Sequence, residues 1–177
     1  MKKSELKKWV RAWAAAYPAA YDQVLAPLAG RDHFDREAME VVVVWKFQSM
    51  AHRRANARRG LAKEQDGRIE DITRRALSCN DDLGALLIVD VLQGVGPALG
   101  SAVLTAANPE RYTVMDTRAI LSVRALGLPG ARFDNSDHRE WLDYLTTCRS
   151  LRDTTGESLR VVDRALFSAQ GTMDLPT

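Results

Sequence analysis

The chain has 177 residues, of which 46% are hydrophobic and 27% are charged. This composition excludes disordered and fibrous proteins, and the length fits a single domain, 1–177, that can bury a core. The formal net charge is only +2, so a nucleic-acid partner has to be argued from where the positive charges cluster.

The first third of the chain has helical spacing. Apolar residues three and four apart predict an amphipathic helix over residues 6–17 that ends near Pro18. The segment 34–48 is apolar on most sides, which fits either a buried strand or a buried helix. Its helix-forming start and the lack of an alternating partner strand favour a helix. A third helix is predicted around residues 69–76.

Helix boundaries are marked most clearly in the middle of the chain. The run Asn-Asp-Asp at 80–82 predicts a break and an N-cap for a helix over 83–92. Pro97 suits the first position of the next helix, which runs to about Ala107 before Asn-Pro at 108–109 ends it.

The carboxy-terminal part continues in the same style. A helix is predicted over 117–126, and helical spacing predicts two more through residues 141–148 and 159–166. The one strand-like segment is the brief run 112–115. The predicted fold class is therefore all-α.

The two cysteines, Cys79 and Cys148, lie too far apart for a metal motif or a disulfide framework. Charges and Pro18 interrupt the first apolar stretch, so we expect neither a signal peptide nor a membrane span. The histidines have no carboxylates at ligand spacing, so no metal site is expected. We expect a monomeric, cytoplasmic protein without a cofactor.

Positive charges form two runs, one in the first eleven residues and one over 52–59, His-Arg-Arg-Ala-Asn-Ala-Arg-Arg. Taken alone, either run fits a solvated helix face better than a phosphate-binding site. The second run contributes four candidates for contact with a DNA backbone, which are Arg53, Arg54, Arg58 and Arg59.

Two glycines one residue apart, Gly94 and Gly96, separate two apolar helical segments. Without Cβ atoms they let the backbone turn tightly and approach a partner closely. The unpaired amides of such a turn, and of the first turn of the next helix, suit a phosphate oxygen. In the alternative interpretation, these glycines serve only to let the two helices pack closely.

An acidic residue follows about twenty residues after Gly96, in Met115-Asp116-Thr117-Arg118. Together the two segments resemble the helix-hairpin-helix superfamily of DNA glycosylases, whose members pair Leu-Pro-Gly-Val-Gly with a downstream Val-Asp-Thr-His. The resemblance covers about residues 83–127, including Arg-Ala-Leu-Gly at 124–127. It implies two helical subdomains around a cleft, with Asp116 as the catalytic residue. It also implies a DNA-binding hairpin at Gln93, Gly94, Val95, Gly96 and Ala98.

Three departures from the family limit the activity and the cofactor that the resemblance implies. Ala98 stands where members that also cut the strand carry a lysine, so lyase activity is not expected. Two distant cysteines cannot supply the four ligands of the iron-sulfur members. Gln93 also replaces the usual hairpin proline. The implied protein is a monofunctional glycosylase that removes a modified or damaged base, in DNA repair or in defence against modified phage DNA.

The chemistry suggests where a base would be held. Cleavage of an N-glycosidic bond leaves an oxocarbenium-like sugar, which a carboxylate can stabilise while it orients a water. The base has to leave the stack and lie against aromatic or apolar surface. Trp45 and Lys46 are the candidates for this pocket, because an indole beside an ammonium can stack on a base and polarise it. Core packing is the simpler interpretation of any single aromatic residue.

Asp116 also fits a simpler role, since an aspartate at a helix start is a common cap worth about 1 kcal/mol. The alternative function is therefore a non-enzymatic helix-hairpin-helix module that binds DNA backbones. The glycosylase hypothesis predicts that Asp116 lies open on a cleft wall shared with the hairpin and with Arg118 and the arginines of 52–59.

Overall fold

The computed structural model describes residues 1–129 and 137–176, and within these ranges the chain is all-α, with no strand. The helices are α1 (Lys3–Ala15), α2 (Ala19–Gln23), α3 (Arg36–Lys46), α4 (Ala51–Leu61), α5 (Asp66–Ser78), α6 (Asp82–Asp90), α7 (Pro97–Ala107), α8 (Thr117–Ala125), α9 (His138–Thr155) and α10 (Leu159–Ala169). A short 3-10 helix, Ala26–Leu28, lies between α2 and α3.

Side-chain caps explain why several helices begin where they do. Asp35 accepts a hydrogen bond from the amide of Ala38 at the start of α3, and Asp81 accepts one from Gly84 at the start of α6. Pro97 takes the first position of α7, where its missing N–H leaves no helical hydrogen bond unmade. The predicted helices at 34–48 and from Pro97 to Ala107 are thereby confirmed.

The segment 112–115 is neither a strand nor a helix, so the prediction of a brief strand is wrong. The amide of Met115 donates instead to the Ser101 hydroxyl at 2.9 Å. The amide of Val114 donates to the Asp163 carboxylate at 3.2 Å. Side chains of α7 and α10 thus take the place of a ladder.

One hydrophobic cluster connects the helices, and α7 lies deepest in it, with every residue from 99 to 107 buried. It packs against α3, α6 and α9, while α10 packs against α1, α8 and α9. These contacts fix the start of α7, the end of α3 and the start of α8 relative to one another. No helix within the described ranges is long and apolar enough to cross a membrane.

Candidate functional site

The turn between α6 and α7 is fixed against the arginine-rich helix α4. Gly94 has φ +84°, and a Cβ on it would lie 2.6 Å from the carbonyl oxygen of Ala57. A Cβ on Gly60 would lie 2.3 Å from the amide nitrogen of Gly94. Both glycines are therefore required by the close contact of α4 with the turn.

Gly96 differs, because packing does not require a glycine there. Its φ is −122°, and a Cβ would meet nothing closer than a carboxylate oxygen of Asp90 at 4.0 Å. A small side chain therefore fits this position within the fold.

The backbone amides of this turn divide into two groups. That of Gln93 donates to Glu64 at 2.8 Å, and that of buried Val95 donates to the carbonyl of Leu92. Within the described part of the chain, the amides of Gly94, Gly96 and Ala98 have no hydrogen-bond partner. Because the nitrogen of Gly94 packs against Gly60, the amides of Gly96 and Ala98 are the candidates to donate to an anion.

The turn and α4 together form a groove of about 180 Å³, lined among others by Arg53, Asn56, Gly94, Gly96 and Ala98. The guanidinium of Arg53 makes no hydrogen bond or ion pair with a described residue. The groove therefore combines unpaired amides with an unpaired cation, which is the donor set that a phosphate requires.

The other arginines of the run point to different partners. Arg58 forms an ion pair with Glu40 on α3, and this hydrogen bond raises the pKa of Arg58. Arg59 bonds to the side chain of Asn56, and Arg54 bonds to the carbonyl of Gln48. Of these four predicted arginines, Arg53 alone lines the groove and the larger cavity described next.

The larger cavity, of about 530 Å³, lies between the end of α3, the start of α8 and one face of α10. We call it the α3–α8 cavity. Four aromatic side chains contribute to its wall, and they are Tyr17, Tyr21, Trp45 and Phe167. Six charged side chains contribute as well, and they are Lys46, Arg53, Asp116, Arg118, Arg160 and Asp163.

Asp116 is both a helix cap and part of the cavity wall. One carboxylate oxygen accepts from the amide of Arg118 at 2.9 Å. The other accepts from the ammonium of Lys46 at 3.1 Å, and that ammonium also donates to the carbonyl of Met115 at 2.7 Å. The side chains of Asp116 and Lys46 are 17% and 6% exposed. The predicted base-pocket residue and the predicted catalytic residue are thus in direct contact.

Trp45 and Arg118 complete the neighbourhood of this pair. The ring of Trp45 lines the cavity beside the guanidinium of Arg160, 5.7 Å from its centroid. Its indole nitrogen is buried and has no hydrogen-bond partner among the described residues. Arg118 lies over the ring of Phe167 at 5.0 Å. Both predicted residues therefore border the α3–α8 cavity.

A buried ionic network forms the far wall of the cavity, and sequence reasoning missed it. Arg160 donates to Asp22 at 2.6 and 2.8 Å, pairs with Asp163 and contacts the hydroxyl of Tyr17. Arg164 also pairs with Asp22. Arg160 and Asp22 are 138 residues apart, so no local pattern could indicate their contact.

The pKa values of the two carboxylates in this network are shifted in opposite directions. Burial alone would raise the pKa of Asp22, but hydrogen bonds and charges from Arg160 and Arg164 hold that pKa below its usual value. Complete burial raises the pKa of Asp163 in spite of its contact with Arg160. Asp163 also accepts from the hydroxyl of Tyr144 at 2.7 Å, which keeps it in place beneath Val114.

The described residues include no cluster of three or more His, Cys, Asp or Glu side chains that could hold a metal ion. Comparison with protein-family models, with curated proteins and with solved structures finds no match to this chain. The groove and the α3–α8 cavity are therefore the features from which a function can be inferred.

Proposed function

We propose that this protein is a DNA glycosylase that hydrolyses the N-glycosidic bond of a modified or damaged base, with Asp116 as the catalytic carboxylate. One observation carries the proposal: Asp116 lies on the wall of an aromatic-lined cavity, and Arg53 and Ala98 line both that cavity and the groove with unpaired amides. A base site next to a phosphate site is what a base-excising enzyme needs.

In this proposal α6, the turn at 91–96 and α7 form the helix-hairpin-helix unit, and two helical subdomains flank the cleft. The amides of Gly96 and Ala98 and the guanidinium of Arg53 bind phosphate oxygens. These contacts read the DNA backbone and not its sequence, so the choice of base belongs to the cavity.

The reaction needs a base drawn out of the stack and a negative charge beside the sugar. Trp45, Tyr17 and Phe167 offer aromatic surface to the base. The carboxylate of Asp116 stabilises the oxocarbenium-like sugar and orients the attacking water. Ala98 stands where a strand-cutting relative carries a lysine, so the proposed product is an intact strand with an abasic site.

The second candidate is a non-enzymatic DNA-binding module. It is favoured by the fact that Asp116 already has two structural tasks, the cap of α8 and the ion pair with Lys46. The groove alone serves this function. The monomeric state, the cytoplasmic location and the choice between DNA repair and phage defence stay predictions.

The test is incubation of the pure protein with a panel of labelled oligonucleotides, each with one modified base, followed by alkali. We expect alkali-dependent cleavage at the modified position for at least one base and no cleavage without alkali. DNA binding with no alkali-labile site on any substrate would favour the non-enzymatic module.

A further inference from the structure

Lys46 is an ammonium held in the wall of the α3–α8 cavity. Its side chain is only 6% exposed, and two of its three N–H groups are accounted for by the carbonyl of Met115 and the carboxylate of Asp116. The third N–H group has no partner among the described residues. Lys46 can therefore donate one hydrogen bond to an atom of a ligand in the cavity.

The pair of Lys46 and Asp116 matches the charges that develop when an N-glycosidic bond breaks. Both electrons of the bond go to the base nitrogen, so the sugar becomes cationic and a neutral base becomes an anion. The carboxylate of Asp116 and the ammonium of Lys46 are 3.1 Å apart. One can therefore face the cationic sugar while the other faces the anionic base. Each then stabilises a charge that is larger in the transition state than in the bound substrate.

We infer that Lys46 is the leaving-group residue of this site, and that the site selects neutral bases that depart as anions with their charge on a ring carbonyl. The inference rests on the proposed function. The N–H of Lys46 donates to that carbonyl oxygen while the C1′–N bond breaks. Water then supplies its hydroxyl group to C1′ and a proton to the departed base, so the products are an abasic site and a neutral free base.

The same geometry disfavours cationic alkylated bases. Such a base leaves as a neutral molecule, so it develops no negative charge for Lys46 to stabilise. Of the six charged side chains on the cavity wall, four are basic and two are acidic. A base that enters with a positive charge is therefore repelled in the ground state.

The experiment compares leaving groups in single-turnover release, using uracil, 5-fluorouracil and hypoxanthine as neutral bases and 7-methylguanine as the cationic base. We expect the protein to release at least one neutral base faster than 7-methylguanine. The variant Lys46→Gln should lose about 10²-fold on that neutral base and much less on 7-methylguanine, which leaves as a neutral molecule. Where uracil is released, the loss should be smaller on 5-fluorouracil, because a more acidic base needs less help to leave.

Two further measurements separate this role from a structural one. Lys46→Arg keeps the charge and should keep the preference for neutral bases, and circular dichroism should show both variants folded. If Lys46→Gln does not fold, the preference of the unaltered protein and of Lys46→Arg remains the test.

The outcomes distinguish the inference from the proposed function. Preferred release of 7-methylguanine, or an equal loss on all bases in Lys46→Gln, would overturn the role of Lys46 and leave a glycosylase. No release of any base, with DNA binding intact, would overturn the glycosylase and this inference with it.

Discussion

Lys46 and Asp116, 70 residues apart in the sequence, form an ion pair of 3.1 Å that joins the end of α3 to the start of α8. The contact holds a carboxylate and an ammonium together at the wall of one cavity, where both are largely removed from water. Charges in such a setting interact more strongly than on an exposed surface. A substitution at either residue therefore changes the charge of the cavity wall and removes a contact between α3 and α8 at the same time.

Arg53 should account for more of the salt dependence of DNA binding than Arg58. In Arg53→Ala, an unpaired cation of the groove is lost, so the slope of log K against log salt should fall by about 1. Arg58→Ala is the matched control, because Arg58 is already paired with Glu40. Fluorescence anisotropy over a salt series measures both slopes. Equal slopes in the two variants would mean that Arg53 does not bind a phosphate.

Alanine should affect DNA binding at one glycine of the turn and folding stability at the other. Gly96→Ala should fold normally but weaken duplex binding about tenfold, because a Cβ obstructs a charge-assisted amide–phosphate hydrogen bond. Gly94→Ala should cost about 2 kcal/mol or more of folding free energy, since φ is +84° and the carbonyl of Ala57 lies in the way. Urea denaturation and anisotropy separate the two effects. Full affinity in a folded Gly96→Ala would mean that DNA does not approach the turn.

The different surroundings of Arg53 and Arg58 could not be predicted from the sequence. Both belong to one predicted run, and only the position of Glu40 on the neighbouring helix distinguishes them. The helix with Trp45 and Lys46 and the start of α8 at Asp116 were predictable, because a helix-forming start and a cap mark them locally. The pair Arg160 and Asp22 was not, because its contact depends on how distant helices pack.

Acid should destabilise the fold in part through Asp22. Its pKa is held below the usual value by Arg160 and Arg164, so its contribution to stability is present above about pH 4 and is lost as pH falls through the lowered pKa. In Asp22→Asn, stability at neutral pH should drop by about 3 kcal/mol, because buried Arg160 loses a counter-ion. The dependence on pH below about 4 should also become flatter. Urea denaturation between pH 2 and pH 7 measures both, and parallel pH curves would contradict the assignment.

Asp116→Asn should keep the fold and DNA binding while base release falls by about 10²-fold or more. Asparagine can still cap α8 and can still accept from Lys46, so we expect a stability cost of only about 1–2 kcal/mol. Asp35→Asn is the matched control, since Asp35 is also a side-chain N-cap but does not line the α3–α8 cavity. Alkali-revealed abasic sites under single-turnover conditions give the rates, and anisotropy gives the affinity. If Asp116→Asn and Asp35→Asn released the base equally fast, Asp116 would be only a helix cap, and the catalytic group would be another residue.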